Sequence, residues 1–149
     1  MSEHIVITED DEDLAFVLGE ALRRQRYEID VASTAGGLLD RLKAAPYDLI
    51  LLDVRLPDMD GLDAIPRCRE LAPDTPIIVM TAHGTRETAM EAITRGAYDF
   101  FTKPLKMDEF PLGWLSRSAL TCFCSRRRSS ARATTTWNSS ILRGLVKKS

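Results

Sequence analysis

The chain has 149 residues, of which 44% are hydrophobic and 28% are charged, values typical of one globular domain with or without an appendage. Its apolar runs are too short to cross a bilayer, no signal sequence precedes the first of them, and three cysteines are too few for a disulfide framework. These features exclude a secreted disulfide-rich miniprotein, a membrane protein and a collagen-like chain, and they predict a cytoplasmic location.

The net charge of −2 conceals two parts of opposite charge. Residues 1–110 contain 12 of the basic residues and all 22 acidic residues, a net charge of −10, whereas residues 111–149 contain 8 basic residues and no acidic residue. This change in composition predicts a domain boundary near Phe110, with the folded domain in residues 1–110.

Five short apolar runs predict β-strands, and they lie at residues 5–7, 29–31, 48–52, 77–80 and 100–101. The third and fourth runs are continuously apolar, as expected for parallel strands covered on both faces. Four segments of helical periodicity separate the runs, and their apolar positions are Leu14, Val17, Leu18, Ala21 and Leu22; Leu38, Leu39 and Leu42; Leu62, Ile65 and Leu71; and Ala89, Ala92 and Ile93.

Two residues mark irregularities in these helices, since Pro66 is expected to perturb the third and Gly96 to end the fourth. The alternation of strands and helices predicts an α/β fold with a five-stranded parallel sheet and helices on both faces.

The carboxyl ends of the strands are where such a sheet binds ligands. The first strand is followed by an acidic run at residues 9–13 instead of a glycine-rich turn, the third ends in Asp53, the fourth in Thr81, and Lys103 follows the fifth. Clustered carboxylates suit Mg²⁺, and a carboxylate beside such a metal can attack phosphorus. A lysine and a hydroxyl can neutralise phosphoryl oxygens.

Each of these residues taken alone has a simpler interpretation, as a helix cap, a turn former or a surface charge. Their joint placement after strands one, three, four and five favours a functional site.

The chain resembles the receiver domain of two-component response regulators over about residues 4–110. The matching segments, in order, are residues 5–10, 49–61, 79–83 and 96–104. Within that family it is most similar to the nitrogen-regulation class of transcriptional activators. The resemblance implies a flavodoxin-like receiver fold and a domain that accepts a phosphoryl group from a histidine kinase or phosphotransfer protein, then changes conformation to control an output, expected to be transcription.

The resemblance also implies roles for individual residues. Asp53 would be the phosphoacceptor, and Mg²⁺ would be held by Asp10, Asp53 and the backbone carbonyl of Arg55, with Glu9 acting through water. Asp11 is left as a helix-start residue.

The same resemblance implies roles for three further residues. Thr81 would be the switch hydroxyl, Phe100 the switch aromatic residue and Lys103 the phosphate-binding lysine, its bond to Pro104 being cis. Such a domain phosphorylates and dephosphorylates itself and is not a turnover enzyme, and it can form a homodimer.

Two rival functions have to be weighed. A phosphatase of the haloacid-dehalogenase type also uses an Asp nucleophile, a Thr, a Lys and a Mg²⁺-binding acidic pair. That family has a second Asp two residues after the nucleophile, a position that is Arg55 in this chain. Its acidic pair follows the other motifs in the sequence, whereas here the acidic pair comes first. Alternatively, the basic tail could bind nucleic acid, but no recognised motif organises its charges, so only weak binding is expected.

The remaining expectations concern the tail and the histidines. Residues 111–125 have a rough apolar stripe that predicts a weak fifth helix, and residues 126–149 are expected to be a flexible basic tail. The sudden loss of acidic residues is also compatible with a shifted reading frame. Cys122 and Cys124 are expected to be inert thiols, His83 a loop residue near the site and His4 solvent-exposed.

Overall fold

A computed structural model of the protein describes residues 3–82 and 84–103. His83, Pro104, the predicted fifth helix at 111–125 with Cys122 and Cys124, and the predicted tail at 126–149 lie outside the described residues. Five strands and four helices alternate within them: β1 (His4–Thr8), α1 (Glu12–Arg24), β2 (Glu28–Ala32), α2 (Ala35–Ala44), β3 (Leu49–Asp53), α3 (Gly61–Leu71), β4 (Ile77–Thr81), α4 (Arg86–Arg95) and β5 (Asp99–Thr102).

All neighbouring strands are parallel, and their order in the sheet is β2-β1-β3-β4-β5. This is the flavodoxin-like order, in which the chain reverses direction across the sheet between β1 and β3. The predicted five-stranded parallel sheet with a flavodoxin-like fold is therefore confirmed. None of the described helices is long and apolar enough to span a bilayer.

Polar side chains begin each helix by accepting hydrogen bonds from backbone amides that the helix itself leaves unpaired. The four N-cap residues are Asp11, Thr34, Asp60 and Thr85. Asp11 thus has the helix-start role that the sequence predicts. Gly96 ends α4 with a φ of 119°, a left-handed conformation that favours glycine, and this prediction is also confirmed.

The central strands are buried on both faces, as their continuous apolar sequences indicate. On one face, alternate strand residues such as Val6, Ile50 and Val79 pack in a single cluster with residues of α2, α3 and α4. The other strand residues face the opposite layer, where α1 contacts β1 and β2.

One expectation about the helices is wrong. Val17 does not belong to the buried side of α1, because its side chain is 63% exposed and the buried positions are Ala15, Leu18, Gly19 and Leu22. The helix α3 continues through Pro66 for five more residues.

The hydroxyl of Thr8 is fully buried without a hydrogen-bond partner in the part of the chain that the structure describes. Replacing Thr8 with valine exchanges this hydroxyl for a methyl group of similar size. We expect the free energy of unfolding in urea to rise by about 1 kcal/mol. The matched control is Thr75→Val, since the buried Thr75 hydroxyl donates to the Tyr47 carbonyl at 2.9 Å. Thr75→Val loses this hydrogen bond and should lower the free energy of unfolding. Equal effects of Thr8→Val and Thr75→Val on stability would contradict the prediction.

Candidate functional site

The carboxyl ends of four parallel strands place the predicted site residues at one edge of the sheet. Glu9 directly follows β1, Asp53 ends β3, Thr81 ends β4 and Lys103 follows β5. The pairing of β3 with β4 and of β4 with β5 aligns Asp53 with Met80 and Thr81 with Thr102. The structure therefore brings these four residues, which are far apart in the sequence, to the same end of the molecule.

Lys103 joins two buried carboxylates at this edge. Its ammonium donates to Oδ2 of Asp53 at 2.8 Å and also to Oε2 of Glu9. Glu9 is only 3% exposed and Asp53 only 4%. One cation therefore pairs with two anions that are shielded from water, which leaves the site with an excess of negative charge.

The environment of Glu9 raises its pKa to about 7. Burial is the main cause, and the nearby Asp53 carboxylate adds to it, whereas the hydrogen bond from Lys103 opposes it. For Lys103, burial acts to lower the pKa, but hydrogen bonds to Asp53 and Glu9 outweigh it and the pKa lies above its ordinary value. The site thus holds its lysine charged and is ready to accept another cation.

Three carboxylates are close enough to share such a cation. Glu9, Asp10 and Asp53 each offer one oxygen, and the three oxygens lie within 4.8 Å of one another. Glu9 and Asp53 are buried, whereas Asp10 is exposed and open to solvent. Hard oxygen donors with room for water are what Mg²⁺ prefers, so the donor set fits this metal.

The backbone after Asp53 folds back on itself. The Arg55 amide donates to Oδ1 of Asp53 at 3.1 Å, the Gly61 amide donates to the Val54 carbonyl at 2.7 Å, and Arg55 pairs with Asp60 in an isolated antiparallel bridge. Gly61 lies so close to this turn that a Cβ there would overlap the Asp53 carbonyl oxygen. We call residues 53–61 the acceptor loop.

The two residues predicted to switch lie on neighbouring strands. Thr81 is buried, and its carbonyl accepts from the Lys103 amide at 2.7 Å. Phe100 is half-buried and packs against the main core cluster. A Cβ on Gly84 would lie 2.9 Å from the Phe100 ring, so the loop after Thr81 touches this aromatic side chain.

Three contacts near these elements escape an analysis of the sequence alone. These are the hydrogen bond of Lys103 to Glu9, the contact of Gly84 with Phe100, and two hydrogen bonds by which Asp58 reaches α2. All three join residues that lie far apart in the sequence. The only available signal was the position of each residue near the carboxyl edge.

The expectation for His4 is wrong. Its ring nitrogen Nε2 lies 2.8 Å from Oδ2 of Asp30, its side chain is half-buried, and its ring packs against Tyr47 at a centroid distance of 4.3 Å. The Tyr47 hydroxyl donates to the same Asp30 oxygen at 2.6 Å. His4 is therefore held by a polar cluster at the amino end of β1, away from Asp53.

Comparison with known proteins agrees with this geometry. The response regulator receiver domain family matches residues 5–111. The DNA-binding transcriptional regulator NtrC of Rhizobium meliloti (strain 1021) is 36% identical over 114 residues, which is 76% of this chain and 23% of the relative. The regulatory protein LuxO of Vibrio vulnificus (strain YJ016) is 41% identical over 102 residues, 68% of this chain and 22% of the relative. The chain thus spans less than a quarter of the length of these relatives.

Solved structures of receiver domains have the same fold. The beryllofluoride-activated NtrC4 receiver domain dimer is 32% identical and superimposes with a TM-score of 0.73, covering 80% of this chain and 98% of that one. A CheY-like receiver domain protein from Methanospirillum hungatei JF-1 is 25% identical and superimposes with a TM-score of 0.75. The match covers 85% of this chain and 99% of that one. The matched family, the strand order and the placement of the acidic residues agree, and the chain belongs to the response regulator receiver domain family.

Proposed function

We propose that the chain is a phosphoryl-accepting switch of two-component signalling, in which a histidine kinase or phosphotransfer protein phosphorylates Asp53 and the resulting change of conformation controls transcription. The observation that carries the proposal is the buried Asp53 carboxylate, bonded to Lys103 and close to the oxygens of Glu9 and Asp10. Residues 1–110 would form the receiver, and an output would require another segment or a partner.

The same residues suggest how the transfer proceeds. A carboxylate oxygen of Asp53 attacks the phosphorus of the donor, and the leaving group departs on the opposite side. The Lys103 ammonium, already beside Asp53, can pair with a phosphoryl oxygen as negative charge develops there. The Thr81 hydroxyl would bind a second phosphoryl oxygen.

Magnesium would be held by Asp10, Asp53 and the Arg55 carbonyl, with Glu9 acting through water. The metal supplies positive charge that offsets the carboxylates and the phosphoryl oxygens. The close approach of the Glu9, Asp10 and Asp53 oxygens, which lie within 4.8 Å of one another, supports this assignment.

A receiver is preferred to a phosphatase that turns over substrates. A haloacid-dehalogenase-type enzyme needs an acid/base carboxylate two residues after its nucleophile, and that position is Arg55, which has no carboxyl group. The phosphoryl group would therefore stay on Asp53 until water hydrolyses the acyl phosphate.

The chemistry can be tested with a small phosphodonor. Incubation with acetyl phosphate and Mg²⁺ should add one phosphoryl group, seen by intact-mass spectrometry, and chelation of Mg²⁺ by EDTA should prevent the addition. Hydroxylamine should then remove the label, because it cleaves acyl phosphates and leaves phosphate esters of serine or threonine intact. Labelling that persists in EDTA or resists hydroxylamine would contradict the proposal.

The switch is proposed to run from Thr81 to Phe100. A phosphoryl group on Asp53 offers new acceptors to the Thr81 hydroxyl and draws the loop after β4 inward, and the Phe100 ring, which touches Gly84 of that loop, changes its position. Since Phe100 has no hydroxyl, packing alone must hold the new position.

Thr81→Ala is therefore expected to be phosphorylated but to switch poorly. NMR should show large shifts of the Phe100 ring on phosphorylation of the wild type and much smaller ones in Thr81→Ala. The control is Thr94→Ala, which removes an exposed hydroxyl from α4 and should switch normally. Identical Phe100 shifts in wild type and Thr81→Ala would refute this role for Thr81.

The partners follow from the same proposal. A kinase or phosphotransfer protein would supply the phosphoryl group, and self-association is proposed because the related NtrC4 receiver domain was solved as a dimer. The related regulators NtrC and ZraR are named as transcriptional regulators, which supports transcription as the output. The basic residues after Phe110 are proposed to contribute at most weak, salt-sensitive binding to nucleic acid.

A further inference from the structure

The acceptor loop is fastened at its base by its own backbone. The Gly61 amide bonds to the Val54 carbonyl, and Arg55 pairs with Asp60. These contacts close the loop near β3 and α3, and within its tip, at residues 56–59, Leu56 is buried in the main core cluster. The Arg55 carbonyl, proposed as a metal ligand, belongs to the base of the loop and directly precedes the tip.

A side chain at the tip makes contact with a different helix. Oδ1 of Asp58 accepts from the Ala35 amide at 2.9 Å, and Oδ2 accepts from the Gly36 amide at 2.8 Å. Both amides belong to the first turn of α2. The hydrogen bond from the Gly36 amide, followed by that from the Ala35 amide, lowers the pKa of Asp58, so the carboxylate is ionised at neutral pH.

The helix α2 therefore has two different caps. Its own N-cap residue, Thr34, accepts from the Gly37 amide at 2.9 Å, whereas Asp58 accepts from the two preceding amides across the molecule. An anion that accepts two backbone hydrogen bonds at a helix N-terminus forms a charge-assisted and geometrically specific contact. The carboxylate lies close to Gly36, since a Cβ there would lie 3.4 Å from Oδ2 of Asp58.

We propose that Asp58 is a positioning residue for the metal site, which holds the tip of the acceptor loop on α2 and so fixes the Arg55 carbonyl for Mg²⁺. The inference rests on the proposed function, because it assumes that the metal binds at Asp53. Asp58 is not among the residues that would hold the metal. Outer partners that orient metal ligands commonly change metal affinity by about 10–100-fold when removed.

Two variants separate this role from the stability of α2. Asp58→Ala removes the remote cap of α2 and with it the attachment of the loop tip to that helix. Thr34→Ala removes the local cap of the same helix and keeps the Asp58 hydrogen bonds to α2. Both should increase hydrogen exchange at the first amides of α2. A third variant, Asp40→Ala, removes an exposed negative charge from α2 and controls for the general loss of charge.

The decisive measurement is Mg²⁺ affinity by isothermal titration calorimetry, together with the acetyl phosphate labelling rate as a function of Mg²⁺. We expect Asp58→Ala to weaken Mg²⁺ binding by about tenfold and to label normally once Mg²⁺ is saturating. Thr34→Ala and Asp40→Ala should bind Mg²⁺ like the wild type. Asp58→Asn, which keeps one side-chain oxygen as an acceptor, should be intermediate, and it replaces Asp58→Ala if that variant does not fold.

The outcomes distinguish this inference from the function on which it rests. If the wild type binds Mg²⁺ and Asp58→Ala binds it equally well, or no worse than Thr34→Ala, the positioning role is wrong and the proposed function stands. If Asp58→Ala also labels slowly at saturating Mg²⁺, its effect is not on metal positioning and the inference is likewise overturned. A wild type that binds no Mg²⁺ would overturn both.

Discussion

Replacing Lys103 with methionine is expected to lower the free energy of unfolding by about 3 kcal/mol in metal-free buffer near pH 8. Methionine keeps the length of the side chain but removes the cation that pairs with Glu9 and Asp53. Two buried carboxylates would then face each other without compensation. Urea unfolding measures the effect, and Lys43→Met, at an exposed position on α2, is the control that should leave stability nearly unchanged.

The pH dependence of this effect has a definite sign. The pKa of Glu9 is raised from 4.5 to about 7, so between these values the folded state keeps a proton that the unfolded chain has released. Stability therefore falls as the pH rises through that window. Without Lys103 the pKa of Glu9 should rise further, so Glu9 is protonated and uncharged at pH 5. The loss of unfolding free energy in Lys103→Met should therefore be smaller at pH 5 than at pH 8. Added Mg²⁺ should also reduce this loss of stability. If neither a lower pH nor Mg²⁺ reduces the destabilisation of Lys103→Met, the electrostatic explanation is contradicted.

Gly61→Ala is expected to be the most damaging small substitution in the acceptor loop. A Cβ at this position would overlap the Asp53 carbonyl oxygen and lie 2.9 Å from Cα of Val54. Both neighbours are backbone atoms and cannot rotate away, so the loop or the start of α3 has to move. We expect a loss of about 3 kcal/mol in urea unfolding and a large fall in labelling by acetyl phosphate.

The control for Gly61→Ala is the same substitution in a helix with space for it. A Cβ on Gly19 of α1 would meet its nearest neighbours at 3.6 and 3.7 Å, which are ordinary contacts. Gly19→Ala should therefore leave stability unchanged or raise it by about 0.5–1 kcal/mol through helix propensity. Equal losses in Gly61→Ala and Gly19→Ala would show that close approach to Asp53 is not the cause.

The fold could be predicted because its strands carry strong signals. The runs in β3 and β4 are continuously apolar, and that pattern requires parallel strands covered on both faces. Once the strands are parallel, their carboxyl ends must share one edge, and this places Asp53, Thr81 and Lys103 together. The roles of these residues in phosphoryl transfer came from the family resemblance and stay predictions.

What could not be predicted depends on how loops approach each other. Periodicity does not reveal that Lys103 bonds to Glu9 as well as to Asp53, because the residues that flank a site are not part of any repeat. Nor does it reveal that Asp58 crosses to α2, since the sequence Asp58–Gly61 reads simply as a turn. Val17 fits the apolar periodicity of α1 but is exposed, because the buried side of that helix is formed by other positions, which include the small residues Ala15 and Gly19.

The most direct test of the whole account is the mass of the protein after incubation with acetyl phosphate and Mg²⁺, compared between wild type and Asp53→Asn. The control is Asp11→Asn, which alters an exposed carboxylate at the same edge that caps α1. We predict that the wild type and Asp11→Asn each gain one phosphoryl group and that Asp53→Asn gains none. Equal labelling of Asp53→Asn and the wild type would show that Asp53 is not the phosphoacceptor and would contradict the account.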